Sequence, residues 1–246
     1  MSMLAVLLIA VGVGDISRRL IRSTWLPPLI GVAVLVDVAL AAGLWHLGDL
    51  VLLAIAAIAC VGWHMTCERA ERTGRHQATP LVVFGAAITV LILLSGWASD
   101  VGGLVERWTS WVGLDASPDR VLMVLGVLLA QLATANQVVR LVLGSVGAVK
   151  PAGQPQASDQ LKGGRLLGPM ERLLIVGLGL AGQLTMASAV VAAKSIIRFP
   201  EISSKRDRDG NAERVGIDDV TEYFLVGSLA SWILAFGSLA LVAATH

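Results

Sequence analysis

The stretch from Lys162 to Phe199 constrains the fold of this sequence more than any other. Between Arg172 and Lys194 it contains 21 residues without a charged side chain, which is long enough for one α-helix to cross a bilayer. Small residues recur at every fourth position of this run and share one helical face, namely Gly177, Ala181, Thr185 and Ala189. The run therefore predicts a membrane helix that packs closely against its neighbours through small side chains.

The composition of the whole chain favours the same class of protein. Charged residues make up 15% of the 246 residues, whereas soluble domains carry about 25%. The net charge of +1 gives no basic field for nucleic acid, so we expect the lipid bilayer as the main partner. The sequence contains no P-loop, nucleophile elbow or zinc-protease motif, and no cofactor is predicted.

Charged residues are confined to short stretches between apolar runs. This pattern predicts an all-α fold, a polytopic transmembrane helix bundle with six to seven spans plus one interfacial helix, all in a single membrane domain. The predicted spans are about 3–14, 25–47, 50–67, 80–98, 121–143, 170–197 and 220–244. Residues 101–117 are predicted to lie in the membrane interface, and residues 150–168 and 200–219 are predicted loops.

Arginine clusters predict the orientation of the helices in a bacterial cytoplasmic (inner) membrane. The loops after the first and third spans carry three arginines each, at positions 18, 19 and 22 and at positions 69, 72 and 75, so both loops are predicted to be cytoplasmic. Strict alternation then places the basic loop 200–219 outside. Two interpretations remain: residues 170–197 cross the membrane, which the continuous small face favours, or they form a re-entrant hairpin that turns at Gly177–Gly182.

A set of polar residues within the apolar runs predicts a path for an ion or small solute. Asp37 lies in the middle of the second span, where an acidic side chain is costly and often marks an ion pathway. The alternative is a protonated Asp37 that is hydrogen-bonded to a neighbouring helix. The other candidates for this path are Gln131, Asn136, Gln137, Arg140 and Gln183, which could equally form hydrogen bonds between helices or, for Arg140, extend to the headgroups.

Two further patterns suggest ligand binding. Cys60, His64 and Cys67 share a helical face, but no fourth ligand follows at a recognisable spacing, and we predict buried thiols and no metal site. The start of the sixth span predicts a site for the phosphate of an anionic lipid headgroup, formed by Gly164, Arg165 and Arg172. The alternative is an ordinary helix start with arginine anchors.

The sixth and seventh spans are predicted to be adjacent. Gly227 and Ser231 form a small face on the seventh span that matches the face on the sixth. Interfacial ion pairs are expected among Glu171, Lys194, Arg198 and Glu222, with Lys194 and Glu222 as the first candidate pair.

The C-terminal half, from about residue 136 to residue 246, resembles a group of bacterial integral membrane proteins known only as a domain of unknown function. The resembling segments are NQVVRLVLG (136–144), GGRLLGPMERLL (163–174), AGQ (181–183), AAKSIIRFPE (192–201) and TEYFLVGSLAS (221–231). The resemblance implies that the charged framework of the family corresponds to Arg165, Glu171, Arg172, Lys194, Arg198 and Glu222. The N-terminal half departs from the group.

Three functions remain open from the sequence. We favour a non-enzymatic channel or transporter for a small solute or ion that works as a homo-oligomer, because polar residues occur within the apolar spans. The second is a membrane scaffold or regulator that binds a partner through its charged loops. The third is a lipid-acting membrane enzyme that uses Glu171 with Arg165 and Arg172.

Overall fold

The structure, a computed structural model, describes residues 1–21, 23–147, 164–206 and 217–245. These residues are predominantly helical and contain no strand, which confirms the all-α class. The helices are α1 (Ser2–Leu20), α2 (Leu26–Ala41), α3 (Leu47–Thr73), α4 (Ala78–Leu93), α5 (Gly103–Val112), α6 (Pro118–Leu129), α7 (Ala135–Ser145), α8 (Gly164–Leu180), α9 (Leu184–Arg206) and α10 (Ile217–Ala243). A 3₁₀ turn lies at Ser95–Trp97, and a π-helical turn at Ala130–Thr134 separates α6 from α7.

Three helical stretches in the described ranges are long and apolar enough to cross a membrane, which indicates a membrane protein. They are Leu47–Thr73, Pro118–Ser145 and Thr221–Ala243. Shorter apolar helices occur at Leu26–Ala41, Ala78–Leu93 and Leu184–Lys194.

The chain divides into two compact units, of which the N-terminal unit comprises residues 1–134 and 240–246. Its central helix is α1, which packs against α2, α3, α6 and the π-helical turn. Every side chain from Met3 to Val11 is at most 4% exposed. A helix that is apolar on all sides can be buried on all sides, and α1 has no charged residue before Asp15.

Glycines allow α1 and α6 to approach closely. A Cβ atom on Gly126 would lie 2.8 Å from the carbonyl oxygen of Ala5, and a Cβ atom on Gly12 would lie 2.9 Å from Cβ of Leu129. Neither position has room for a larger side chain, since real Cβ contacts are longer than this. The close packing through small residues that we predicted for the sixth span is thus found at the contact between α1 and α6.

In the C-terminal unit, residues 135–239, the uncharged run from residue 173 to residue 193 is not one helix. The helix α8 ends at Leu180, and Gly182 adopts a left-handed conformation with φ of +76°. The amide of Gln183 donates a hydrogen bond to the carbonyl of Leu178, and α9 starts at the next residue. The predicted continuous span 170–197 is therefore wrong, because a left-handed glycine ends the helix; α8 and α9 pack together as a helical hairpin.

The predicted packing face of the sixth span is also wrong. Outside the backbone of its own helix and its two chain neighbours, no described atom lies within 4 Å of a Cβ atom built on Gly177. Gly179, near the end of α8, faces Leu239 of α10 instead. A Cβ atom built on Gly179 would lie 2.3 Å from Cδ1 of Leu239. On α10, Ser231 is buried and Gly227 contacts Leu143. The exposed members of the predicted face are Gly177, Ala181, Thr185 and Ala189.

Several predicted boundaries also need correction. Residues 164–168 were predicted as part of a loop, but α8 begins at Gly164 and continues through Pro169. The helix α2 ends at Ala41, before the predicted end at residue 47, and α3 continues to Thr73, beyond the predicted end at residue 67. The helix α1 extends to Leu20, beyond the predicted end at residue 14. The predicted loop 200–219 is also too long, because residues 200–206 belong to α9 and residues 217–219 belong to α10. Residues 150–163 and 207–216 of the two predicted loops lie outside the described residues.

Candidate functional site

A buried carboxyl group lies near the end of the central helix of the N-terminal unit. Asp15 of α1 is 5% exposed. The indole Nε1 of Trp63 on α3 donates hydrogen bonds to both of its oxygens, at 3.1 and 3.2 Å. The hydroxyl of Thr134, in the π-helical turn, faces the same carboxyl group. An acidic side chain at this depth needs such donors, because the unpaired charge would be costly in an apolar interior.

His64 follows Trp63 on α3 and faces the same carboxyl group. Its Nδ1 lies 3.6 Å from Oδ1 of Asp15, and neither ring nitrogen has a hydrogen-bond partner among the described atoms. The ring is 2% exposed and fits against two glycines. A Cβ atom on Gly14 would lie 2.3 Å from Nε2 of His64, and one on Gly31 would lie 3.4 Å from it.

Two arginine–glutamate pairs extend this cluster to the surface. Arg18 lies one helical turn after Asp15, with Nη1 at 3.8 Å from Oδ1 of Asp15 and Nη2 at 3.0 Å from Oε2 of Glu71. Further out, Arg72 pairs with Glu68 and donates a hydrogen bond of 2.9 Å to the hydroxyl of Thr24. Arg72 is 67% exposed, so its pair contributes little to stability.

These side chains form a polar cleft of about 220 Å³ that is open at the surface of the N-terminal unit. His64 lies at its inner end, beside Asp15. The cleft is lined by Arg18, Ile21, Ser23, Thr24, Pro27, Pro28, His64, Glu68, Glu71 and Arg72.

The other end of α3 is held by a second buried carboxyl group. Asp49 is fully buried and accepts hydrogen bonds from the amide of Ser99 at 2.8 Å, from its hydroxyl at 2.9 Å and from the amide of His46 at 3.0 Å. The hydroxyl of Ser2, at the start of α1, donates to the carbonyl of Ser99. Between the two carboxyl groups the interior is apolar along Met3–Val11 of α1, so the cleft does not continue across the unit.

The C-terminal unit contains its own polar cluster, between α8, α9 and α10. Glu171 of α8 forms an ion pair with Lys194 of α9 and accepts a hydrogen bond of 2.8 Å from Nε1 of Trp232 on α10. The ammonium group of Lys194 lies 5.7 Å from the ring centre of Trp232 and 5.9 Å from that of Phe224. Glu171 and Lys194 thus connect the two arms of the hairpin.

The adjacent Arg172 is 2% exposed and connects α8 to two further helices. It donates one hydrogen bond to the hydroxyl of Ser231 on α10, at 3.1 Å, and another to Oδ1 of Asn136 on α7. A buried arginine with these partners has no access to a lipid headgroup. The predicted lipid-phosphate site is therefore wrong for Arg172; Gly164 is the first residue of α8, and the side chain of Arg165 lies outside the described residues.

The residues of the predicted polar path do not form one path. Asp37 is exposed on α2, so the structure does not place it on a buried polar path. Arg140 on α7 and Gln183 at the turn of the hairpin are also exposed. Gln131 is buried in the π-helical turn, Gln137 is half-buried, and Asn136 accepts the hydrogen bond from Arg172.

The remaining predicted sites are the interfacial ion pairs and the two cysteines. Lys194 pairs with Glu171, whereas its first candidate partner, Glu222, is exposed; the side chain of Arg198 lies outside the described residues. Cys60 and Cys67 are buried free thiols. Within the described ranges no three His, Cys, Asp or Glu side chains are grouped to hold a metal ion.

Our sequence interpretation missed Asp15, Trp63 and Arg18 as members of a site. A signal was present, because Asp15 ends an uncharged run and Arg18 follows one turn later. We assigned this segment to a loop since the first apolar run is short. The contacts of Asp15 with Trp63 and His64 depend on how α1 packs against α3, and no local sequence pattern indicates this packing.

Comparison of the chain with known protein families, characterised proteins and solved structures finds no match. The resemblance of the C-terminal half to a bacterial membrane protein family therefore stays a prediction, and the function is argued from the site alone.

The pair of Glu171 and Lys194 gives the first prediction. Glu171→Leu leaves the ammonium group of Lys194 without its carboxylate and should destabilise the protein by about 3–5 kcal/mol. The double variant Glu171→Leu/Lys194→Met should recover part of this loss, because neither charge is then left alone. Thermal unfolding in detergent measures both, with the exposed Glu222→Gln as the control. A single variant as stable as the wild type would contradict the assigned pair.

Proposed function

We propose that the protein is a non-enzymatic transporter of the bacterial inner membrane that binds one small cation at the inner end of the polar cleft. The observation that supports this proposal is the pair of Asp15 and His64, two ionisable side chains buried together in an apolar helical unit. Ionisable side chains at such positions are costly to keep and typically serve ion pathways.

The closed inner end of the cleft favours a transporter over an open channel. A channel needs a continuous polar path, whereas the side chains from Met3 to Val11 are apolar and at most 4% exposed. A site that is reached from one side at a time is what alternating access requires. The structure then corresponds to the state in which the cleft is accessible from the side of Arg18 and Arg72.

The orientation follows from the arginines and the hairpin. The positive-inside rule places Arg18 and Arg72, and with them the cleft, on the cytoplasmic side. We propose six spans, formed by α1–α4, the stretch 118–145 and α10, with α8 and α9 as a re-entrant hairpin. This arrangement returns the basic segment 200–219 to the cytoplasmic side and removes the conflict with the positive-inside rule that a crossing of the membrane by residues 170–197 created.

Cysteine labelling tests this orientation. Asp209→Cys, in intact cells, should react with a membrane-impermeant maleimide only after the membrane is opened, because residues 207–216 are cytoplasmic in this arrangement. Asp115→Cys, in the segment after α5, should react without opening and is the matched control. Labelling of position 209 from outside would contradict the re-entrant hairpin.

Charge movement tests the transport function. The purified full-length protein in proteoliposomes on a solid-supported membrane should give a transient current when a gradient of H⁺, Na⁺, K⁺ or NH₄⁺ is applied. Asp15→Asn should abolish that current, because the site then lacks the charge that holds the cation. Glu106→Gln, which changes an exposed carboxyl group on α5, should leave it unchanged. Absence of current with all four cations, or a full current in Asp15→Asn, would overturn the proposal.

A further inference from the structure

We infer that the cation bound at the inner end of the cleft is the proton, and that the pair of His64 and Asp15 takes it up. This inference rests on the proposed transport function and names its substrate.

The charged groups that face the pair of His64 and Asp15 lie on α1 and α3. On α1, Arg18 lies 3.8 Å from Asp15, and Arg19 also acts on the carboxyl group of Asp15. The positive charge of Arg18 opposes a charge on His64, but Arg18 itself lies between the carboxylates of Asp15 and Glu71. A proton added to the pair lies next to the buried carboxylate of Asp15, which lowers the cost of keeping that charge in an apolar unit.

Apart from Asp15, the described neighbours of His64 at the inner end are backbone atoms, one hydroxyl and two thiols. The helix α2 contributes the backbone at Pro27 and Gly31, and the π-helical turn contributes the hydroxyl of Thr134. On its own helix, the thiols of Cys60 and Cys67 lie on either side of it in sequence, and both are buried. Neither ring nitrogen of His64 has a hydrogen-bond partner among the described atoms. The unprotonated nitrogen is therefore open to a proton that has passed Glu68 and Glu71 in the cleft.

The burial of His64 selects against larger cations. The ring is 2% exposed, so a hydrated metal ion or an organic cation cannot contact it unless the helices separate. A metal ion would also need several ligands, and the described residues offer no group of three. A proton needs one lone pair and no coordination sphere, which fits a single imidazole in a closed pocket.

The uptake step balances as a simple proton transfer. A hydronium ion in the cleft gives its proton to the unprotonated nitrogen of His64; an N–H bond forms, an O–H bond breaks, and water remains in the cleft. The carboxylate of Asp15, with Oδ1 at 3.6 Å from Nδ1, stabilises the imidazolium. The donors from Trp63 hold the carboxylate in place.

Proton uptake into proteoliposomes tests the inference. Vesicles that contain the full-length protein, the pH dye pyranine and potassium are given valinomycin, so that the inside becomes negative. The wild type should acidify the interior at a rate that saturates as the external pH falls, because His64 becomes fully occupied. His64→Gln should reduce the rate to that of protein-free vesicles, whereas His76→Gln, which changes an exposed histidine, should retain the wild-type rate and its saturation.

A second variant distinguishes loss of proton uptake from loss of folding. Gly14→Ala keeps every titratable group but places a methyl group where Nε2 of His64 lies, so the rate should fall while the protein remains folded by size-exclusion chromatography. Wild-type proton uptake in a folded His64→Gln protein would overturn the inference. So would an Asp15-dependent current with Na⁺, K⁺ or NH₄⁺ but none with H⁺, and that outcome would leave the transport function intact. No current with any cation would overturn the transport function itself.

Discussion

A carboxyl group can remain in the interior of an apolar helical unit only if other groups compensate for the water it has lost. At Asp15 this constraint determines how α1 and α3 pack against each other in the N-terminal unit. The indole of Trp63 donates to both oxygens, and Arg18 and His64 approach the same oxygen from two helices. Those contacts fix the positions of α1 and α3 relative to each other, and the missing side chain of Gly14 makes the space in which His64 fits.

The two ends of α3 serve different purposes. At its start, Asp49 is buried and has four polar contacts from His46 and Ser99, so this end is a fixed structural joint. At its other end, His64 has a carboxylate beside it and a cleft in front of it, but no hydrogen bond. A satisfied polar network rigidifies a fold, whereas an acceptor left open at the end of a cleft is available for a ligand. This difference is why we assign function to the cluster of Asp15 and not to that of Asp49.

Sequence patterns predicted the helical membrane class and the helices α3 and α10, because long apolar runs leave few alternatives. They did not predict the features of the structure that depend on tertiary contacts. The short run before Asp15 gave no hint that α1 is the central helix, since burial on all sides looks the same in sequence as exposure to lipid. The small residues of the run from residue 173 to residue 193 suggested a packing face, yet Gly182 ends the helix and Gly177 is exposed. The partners of Glu171 and Arg172 lie on helices far along the chain, so their pairing could not be read from spacing.

If Asp15 and His64 exchange one proton with the cleft, infrared difference spectroscopy should detect the change in protonation. The spectrum of the full-length protein in membranes is recorded at two pH values on either side of neutrality. Carboxyl or imidazole bands of the wild type should change between the two pH values, and this change should be lost in both Asp15→Asn and His64→Gln, because the two groups share the proton. A difference spectrum that is the same in the wild type and in both variants would contradict it.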